Sequence, residues 1–168
     1  MIVACAIASM VLCAPCSAQL ASESARAVEH HYWRNFALGI GGSIVLHEAG
    51  HVVVGYAVGT PMTFGLDHGR PTIYSHINLH KDANKQFIFS GMGLTVQTLL
   101  DEAILDVPHE RGSAVERGIL AGGIATAAFY ATIGRDASVS DIALMARTSS
   151  LSRAEISLIF ASVAALHV

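Results

Sequence analysis

Two histidines and a glutamate lie within five residues of one another, at His47, Glu48 and His51, in the pattern H-E-x-x-H. On a helix, residues four apart lie one turn apart on the same face, so both imidazoles can bind one metal ion. The carboxylate between them can then act as a general base toward water. The pattern predicts a metal centre with hydrolytic chemistry, in which His47 and His51 are ligands and Glu48 is the catalytic base.

The surroundings of this motif are apolar, because Glu48 is the only charged side chain between Asn35 and Leu66. Placing two imidazoles and a carboxylate in a membrane-length apolar segment is costly unless these polar groups are paired with one another or with a metal ion. The alternative, two packed histidines beside a glutamate that reaches the surface, suits an exposed helix better. We therefore favour a functional site over a chance pattern in a structural membrane protein.

The composition indicates a membrane protein. Of the 168 residues, 52% are hydrophobic and only 14% are charged, whereas soluble domains carry about 25% charged residues. The length fits a single domain, and a net charge of −3 gives no sign of a nucleic-acid partner. All three cysteines lie in the first 16 residues. A metal ion in the rest of the chain must therefore be bound by His, Asp or Glu.

The N-terminal segment is typical of a secretory signal. Residues 2–14 form an apolar run, and Cys16-Ser17-Ala18 fits the small-x-small pattern that precedes a cleavage site. We predict a signal peptide at 1–18 and a single membrane-embedded domain at 19–168, inserted through the secretory pathway. No Lys or Arg precedes Arg26, which leaves open a retained first membrane helix.

Several apolar segments follow, and they predict a helical bundle. Phe36–Val58 is about 34 Å long as a helix, enough to cross a hydrocarbon core of about 30 Å. Phe87–Val107 and Gly118–Gly134 are further predicted spans. Ser138–Ser152 has the pattern of a short amphipathic helix, and residues 154–168 form a last apolar helix.

A β-hairpin is predicted between the first two of these helices. Met62–Leu66 and Thr72–Ile77 are β-prone, and the residues between them favour a turn. His76 and His80 are four apart, but this segment is extended and polar, so we do not expect them to bind metal. The predicted fold is mainly α: a small multi-span membrane helical bundle with one short β-hairpin.

Over about residues 36–100 the chain resembles the site-2 protease family of intramembrane zinc metalloproteases. The matching residues are those of the motif at 47–51, Gly59, the β-prone Thr63–Leu66, Gly69 and the helix opening Ser90–Leu94. The resemblance implies zinc bound by His47 and His51, Glu48 as base, and an Asp from a later helix as third ligand. The family's Leu-Asp-Gly-type motif for that Asp is absent, and the helix opening has Met92 in place of a proline and lacks the family's Asn.

The third ligand is therefore a choice among several carboxylates. Asp141 is the first choice, because it stands at a predicted helix start late in the chain, where the helix N-terminus favours the ionised form that a metal needs. Asp101 and Glu102 are rivals, since antiparallel packing would bring their helix near the depth of His47. Asp136 comes fourth, because it follows the end of a span.

These residues predict a membrane-embedded zinc metalloprotease. Its expected partners are membrane lipid and a membrane-protein or peptide substrate. The competing prediction is an integral membrane protein that binds metal without hydrolysis, either a degenerate protease or a metal-handling protein. The intact Glu48 favours hydrolysis, because metal binding alone does not require it.

Overall fold

The computed structural model describes residues 31–109, 111–137 and 139–166. The signal peptide predicted at 1–18, and the alternative of a retained helix there, lie outside these residues. The fold is mainly helical, with 69% of the described residues in helices, and contains a two-stranded antiparallel hairpin. In chain order the elements are α1 (His31–Ala57), β1 (Met62–Asp67), β2 (Arg70–Ser75), α2 (Ala83–Asp106), α3 (Ala114–Ala131), a 3-10 turn (Gly134–Asp136), α4 (Asp141–Arg147) and α5 (Arg153–Leu166).

Within the described residues, helix α1 covers the predicted first span, Phe36–Val58, except for its last residue. Within the described ranges, α1 is the one helix long and apolar enough to cross a membrane. Core helices of soluble proteins and signal sequences can have the same properties. The mainly helical fold and its hairpin are confirmed, and the multi-span arrangement stays a prediction.

The predicted amphipathic helix at 138–152 is wrong in its bounds. Helix α4 begins at Asp141, where the Ser140 hydroxyl accepts the Ala143 N–H as a cap. It ends at Arg147, and Ser152 and Glu155 then form a reciprocal cap that starts α5. The helix therefore covers only residues 141–147 of the predicted segment, and residues 148–152 connect it to α5.

The hairpin turn has two residues at its centre. His68 has a φ of 50° and Gly69 a φ of 84°, the left-handed conformation that short hairpin turns require. Asp67 pairs with Arg70 across the turn, both in the strand register and as an ion pair. Strand β2 pairs only with β1 in this sheet, so its second edge is open to other groups.

Glycines bring α1 close to its neighbours. A Cβ at Gly39 would lie 2.9 Å from the Gly118 Cα on α3, and a Cβ at Gly50 would lie 2.9 Å from the Met92 carbonyl oxygen on α2. Small residues permit this backbone contact between helices. The remaining core joins α2, α3, α4 and α5, and its buried members are Leu94, Tyr130, Ile142, Met145 and Ile156. This packing places α1 beside both α2 and the start of α4.

Candidate metal centre

Three side chains from two distant parts of the sequence converge at one point. The Nε2 atoms of His47 and His51 lie 3.3 Å apart. Oδ2 of Asp141 lies 3.1 Å from Nε2 of His47 and 3.4 Å from Nε2 of His51. Asp141 is 94 residues beyond His47 in the chain. The structure therefore brings together the two predicted histidine ligands and the first choice for the third.

The spacing of these three atoms fits a zinc ion. In a tetrahedral site with ligand bonds of about 2.0–2.1 Å, ligand atoms lie about 3.3–3.4 Å from one another. The three observed separations, 3.1, 3.3 and 3.4 Å, are close to that value. A set of two imidazoles and one carboxylate is also a common donor set for catalytic zinc, with a fourth position left for water or substrate.

The hydrogen bond of His51 fixes which of its nitrogens faces the centre. Nδ1 lies 2.8 Å from the carbonyl oxygen of Phe89 on α2. A carbonyl only accepts, so Nδ1 must carry the proton, and in the neutral ring Nε2 then presents a lone pair to the centre. A lone pair facing a carboxylate oxygen requires a positive charge between them, either a proton or a metal ion.

His47 is held differently. Its ring stacks on Tyr130, with 6.3 Å between ring centroids and 21° between planes. Its Nδ1 is buried and has no hydrogen-bond partner among the groups that the structure describes. The orientation of His47 therefore depends on ring packing, whereas that of His51 depends on a backbone acceptor.

Asp141 is the first residue of α4, and the Ser140 cap fixes the start of that helix. The Tyr130 hydroxyl donates a hydrogen bond of 2.9 Å to Oδ2 of Asp141. Burial by itself raises the pKa of this carboxyl group, but the neighbouring His51 and His47 outweigh that effect and hold the pKa well below its usual range. Asp141 is therefore ionised, as a metal ligand must be.

Gly93 leaves the room that the two imidazoles occupy. A Cβ at this position of α2 would lie 2.5 Å from Nε2 of His51 and 2.6 Å from Nε2 of His47. Real Cβ atoms do not come that close to other heavy atoms, so a side chain here would displace both rings. The sequence predicts Gly93 at a helix opening, but α2 begins at Ala83, so Gly93 lies in the helix interior. Its contact with the two imidazoles was not among the predictions.

Glu48 lies beside the centre and is oriented by the hairpin. Its Oε2 accepts a hydrogen bond of 3.0 Å from the backbone N–H of Ile73 in β2. The open edge of β2 therefore faces the predicted catalytic carboxylate. Helix α1 thus supplies two ligands on one face and the carboxylate on the adjoining face, where β2 passes.

A cavity of about 560 Å³ joins these groups. Strand β2 forms one wall, and helices α1, α3 and α4 form others. His47, Glu48, His51 and Asp141 all line it, together with apolar side chains such as Phe89 and Phe129. A largely apolar cleft with a few convergent polar groups has the general character of a substrate site.

The rival carboxylates lie elsewhere. Asp101 is buried in a separate cluster with Gln97, and Asp136 is 66% exposed and pairs with Arg153 at 3.2 Å. Among the described residues, the only group of three or more His, Cys, Asp or Glu side chains with metal-binding spacing is His47, His51 and Asp141. Glu102 and the pair His76 and His80 are therefore not part of such a group.

Tyr130 and the Phe89 carbonyl were missed by the sequence analysis. Tyr130 lies in an alanine- and glycine-rich helix, and nothing in its local pattern distinguishes it from a packing residue. The Phe89 acceptor is a main-chain carbonyl, which every residue carries, so the sequence cannot single it out. Both contacts arise only when α2 and α3 pack against α1.

No protein-family model, curated protein or solved structure matches this chain. The geometry of the site is therefore the basis for a proposed function.

Proposed function

We propose that this chain is a membrane-embedded zinc metallopeptidase similar to the site-2 protease family. His47, His51 and Asp141 are the zinc ligands, and Glu48 is the general base. The observation that carries the proposal is the convergence of two imidazole nitrogens and a carboxylate oxygen within 3.1–3.4 Å, in a cavity that also contains Glu48.

Each residue of the proposed site has a separate role in the reaction. When bound, zinc supplies Lewis acidity toward a carbonyl group and makes a nucleophile available near neutral pH. Glu48 takes a proton from the attacking water and returns it to the leaving nitrogen. The Ile73 N–H holds one oxygen of Glu48 at 3.0 Å, which fixes the carboxylate while its other oxygen accepts the proton. Tyr130 orients Asp141 through the bond to Oδ2.

Strand β2 is the proposed seat of the substrate backbone. An extended peptide can pair with the open edge of a strand through main-chain hydrogen bonds. The Ile73 N–H of this edge is bound to Glu48 and Pro71 has no N–H, so a peptide lying along β2 would pair with the other main-chain groups of the edge and pass next to the base. A membrane-protein segment or a peptide in extended form is therefore the proposed substrate.

The surface of α1 supports a membrane location. Only 33% of its most apolar window is buried within the protein. Leu38, Val45, Val53 and Tyr56 on this helix are between 63% and 77% exposed, and lipid would cover them. Helices α2 and α3, with 24 and 18 residues, would be about 36 and 27 Å long, so a multi-span bundle inserted through the secretory pathway is part of the proposal.

The position of Glu48 favours hydrolysis over metal binding alone. A metal-handling protein would need the three ligands but not a fourth acidic group oriented in the same cavity. The test is Glu48→Gln, which keeps size and the acceptor for the Ile73 N–H but cannot take the proton. Zinc should remain, while cleavage of a helical membrane substrate in detergent should fall about 10²–10⁴-fold.

Glu102→Gln is the matched control, because Glu102 is a half-buried carboxylate of α2 that does not line the cavity. It should cleave at the wild-type rate. Full activity in Glu48→Gln would remove the protease proposal. Zinc in the wild type without any cleavage dependent on Glu48 would favour the metal-binding alternative.

A further inference from the structure

Four charged side chains of the described residues line the cavity, and three of them are engaged. Glu48 accepts the Ile73 N–H, and Asp141 faces two imidazoles. Arg70 forms an ion pair with Asp67, and its guanidinium lies 4.9 Å from the centroid of the Phe129 ring. The fourth is Arg147.

Arg147 is exposed and has no ion pair or hydrogen bond from its side chain to any described residue. It lies in the last turn of α4, where a cation also interacts favourably with the helix dipole. That interaction explains a basic residue at this position but not its place in the cavity wall. Asp141, Leu144 and Arg147 all line the cavity, so Arg147 belongs to the face of α4 that carries the proposed zinc ligand.

The distance along α4 relates Arg147 to the reacting centre. Arg147 is six positions after Asp141 on the helix, a rise of about 9 Å. An extended peptide advances about 3.3 Å per residue. A group on the substrate that reaches Arg147 therefore lies about two to four residues from the bond at the metal centre, once the reach of the arginine side chain is included.

We propose that Arg147 binds the carboxylate of an aspartate or glutamate in the substrate, two to four residues from the scissile bond. This inference depends on the proposed peptidase function and names a substrate class for it: segments with an acidic side chain near the cleavage site. A guanidinium can bind a carboxylate through two parallel hydrogen bonds. Because Arg147 shares the cavity with Glu48 and Asp141, its partner is the occupant of that cavity, namely the substrate.

The experiment is a cleavage profile on a library of short peptides with blocked, neutral termini, measured in detergent and in vesicles of anionic phospholipid and read by mass spectrometry. The wild type should favour Asp or Glu over Asn or Gln at one position near the cut, about three- to tenfold in kcat/KM, as for a partly solvated charge-assisted hydrogen bond. In Arg147→Ala this ratio should fall to about one, by the same reasoning. In Arg147→Glu the same position should favour Lys or Arg.

Arg117 provides the matched control. It is exposed on α3, does not line the cavity, and its replacement changes the net charge equally. Arg117→Ala and Arg117→Glu should keep the acidic preference. Reversal of the preference in Arg147→Glu cannot result from a role of Arg147 in helix α4 alone, so this variant separates recognition from stability.

Four outcomes would overturn the inference. Cleavage that depends on Glu48 but shows no acidic preference would remove it and leave the proposed function standing, as would a preference that survives Arg147→Ala. Rates in Arg147→Ala that fall equally for acidic and neutral peptides, and only in vesicles of anionic phospholipid, would assign Arg147 to a lipid headgroup. No cleavage above the Glu48→Gln background would remove the proposed function, and this inference with it.

Discussion

Asp141 and Asp101 are two carboxylates that have little exposure to solvent and different surroundings. Asp141 faces two imidazole nitrogens at 3.1 and 3.4 Å and borders a cavity of about 560 Å³. Asp101 is 4% exposed and borders a cavity of about 20 Å³. In its cluster the Ser43 hydroxyl donates to Gln97 at 3.2 Å, and the Gln97 amide donates to Asp101 at 3.5 Å.

The difference is one of donors and acceptors. Around Asp101, the Ser43 hydroxyl and the Gln97 amide act as hydrogen-bond donors, and this cluster joins α1 to α2. Around Asp141, the lone pair on Nε2 of His51 and a carboxylate oxygen face one another beside Nε2 of His47, and this arrangement requires a proton or a metal ion between them. A buried carboxylate in an apolar helix is therefore not sufficient to indicate a metal ligand. The neighbouring donors and acceptors determine whether such a carboxylate can be a metal ligand.

The largest expected effect comes from removing an imidazole. His47→Ala and His51→Ala should each leave two protein ligands, so purified protein should contain essentially no zinc by elemental mass spectrometry. His76→Ala and His80→Ala are the controls, since these side chains are exposed on or near the hairpin, and they should keep zinc. Unchanged zinc in both His47→Ala and His51→Ala would refute the site.

A glycine pair on α2 tests the centre without touching a ligand. In Gly93→Ala the new methyl group would meet both imidazole rings, so zinc should be lost although alanine favours helix. In Gly91→Ala the methyl group would lie 3.4 Å from Cε of Met145, an ordinary contact with a flexible side chain, and zinc should remain. Equal zinc content in the two variants, at equal helix content by circular dichroism, would contradict the assigned position of the centre.

Removing one hydroxyl group should have a smaller effect. Tyr130→Phe keeps the ring against His47 but removes the hydrogen bond to Asp141. Loss of a partner behind a ligand weakens metal binding about 10–100-fold, which competition with a chelator can measure. Tyr56→Phe is the control, because Tyr56 is 77% exposed on α1. A zinc dissociation constant in Tyr130→Phe equal to that of Tyr56→Phe would show that Tyr130 has no such role.

The sequence was most informative where the structure is local. The spacing of His47 and His51 on one helix face, and the hairpin closed by His68 and Gly69, depend on neighbouring residues and were predicted. The choice of Asp141 depended on a helix start, which the Ser140 cap confirms as local geometry. Its role as a ligand stays a prediction.

The remaining features depend on packing between helices, which no local pattern encodes. Gly93, Tyr130 and the Phe89 carbonyl reach the histidines only because α2 and α3 pack closely on α1. The predicted depth of Asp101 relative to His47 was wrong by about one turn of α1. Its cluster includes Ser43, four residues before His47 on α1, rather than His47 itself.

The most direct test of Asp141 as a zinc ligand replaces each of the two aspartates by asparagine, its isosteric amide, and compares the two variants. Zinc per chain should be measured in Asp141→Asn and Asp101→Asn at a series of chelator concentrations, beside the wild type with about one zinc per chain. We expect Asp141→Asn to lose zinc at chelator concentrations where Asp101→Asn still keeps it. Retention of zinc by Asp141→Asn together with loss by Asp101→Asn would show that Asp141 is not the third ligand and would place that ligand on α2.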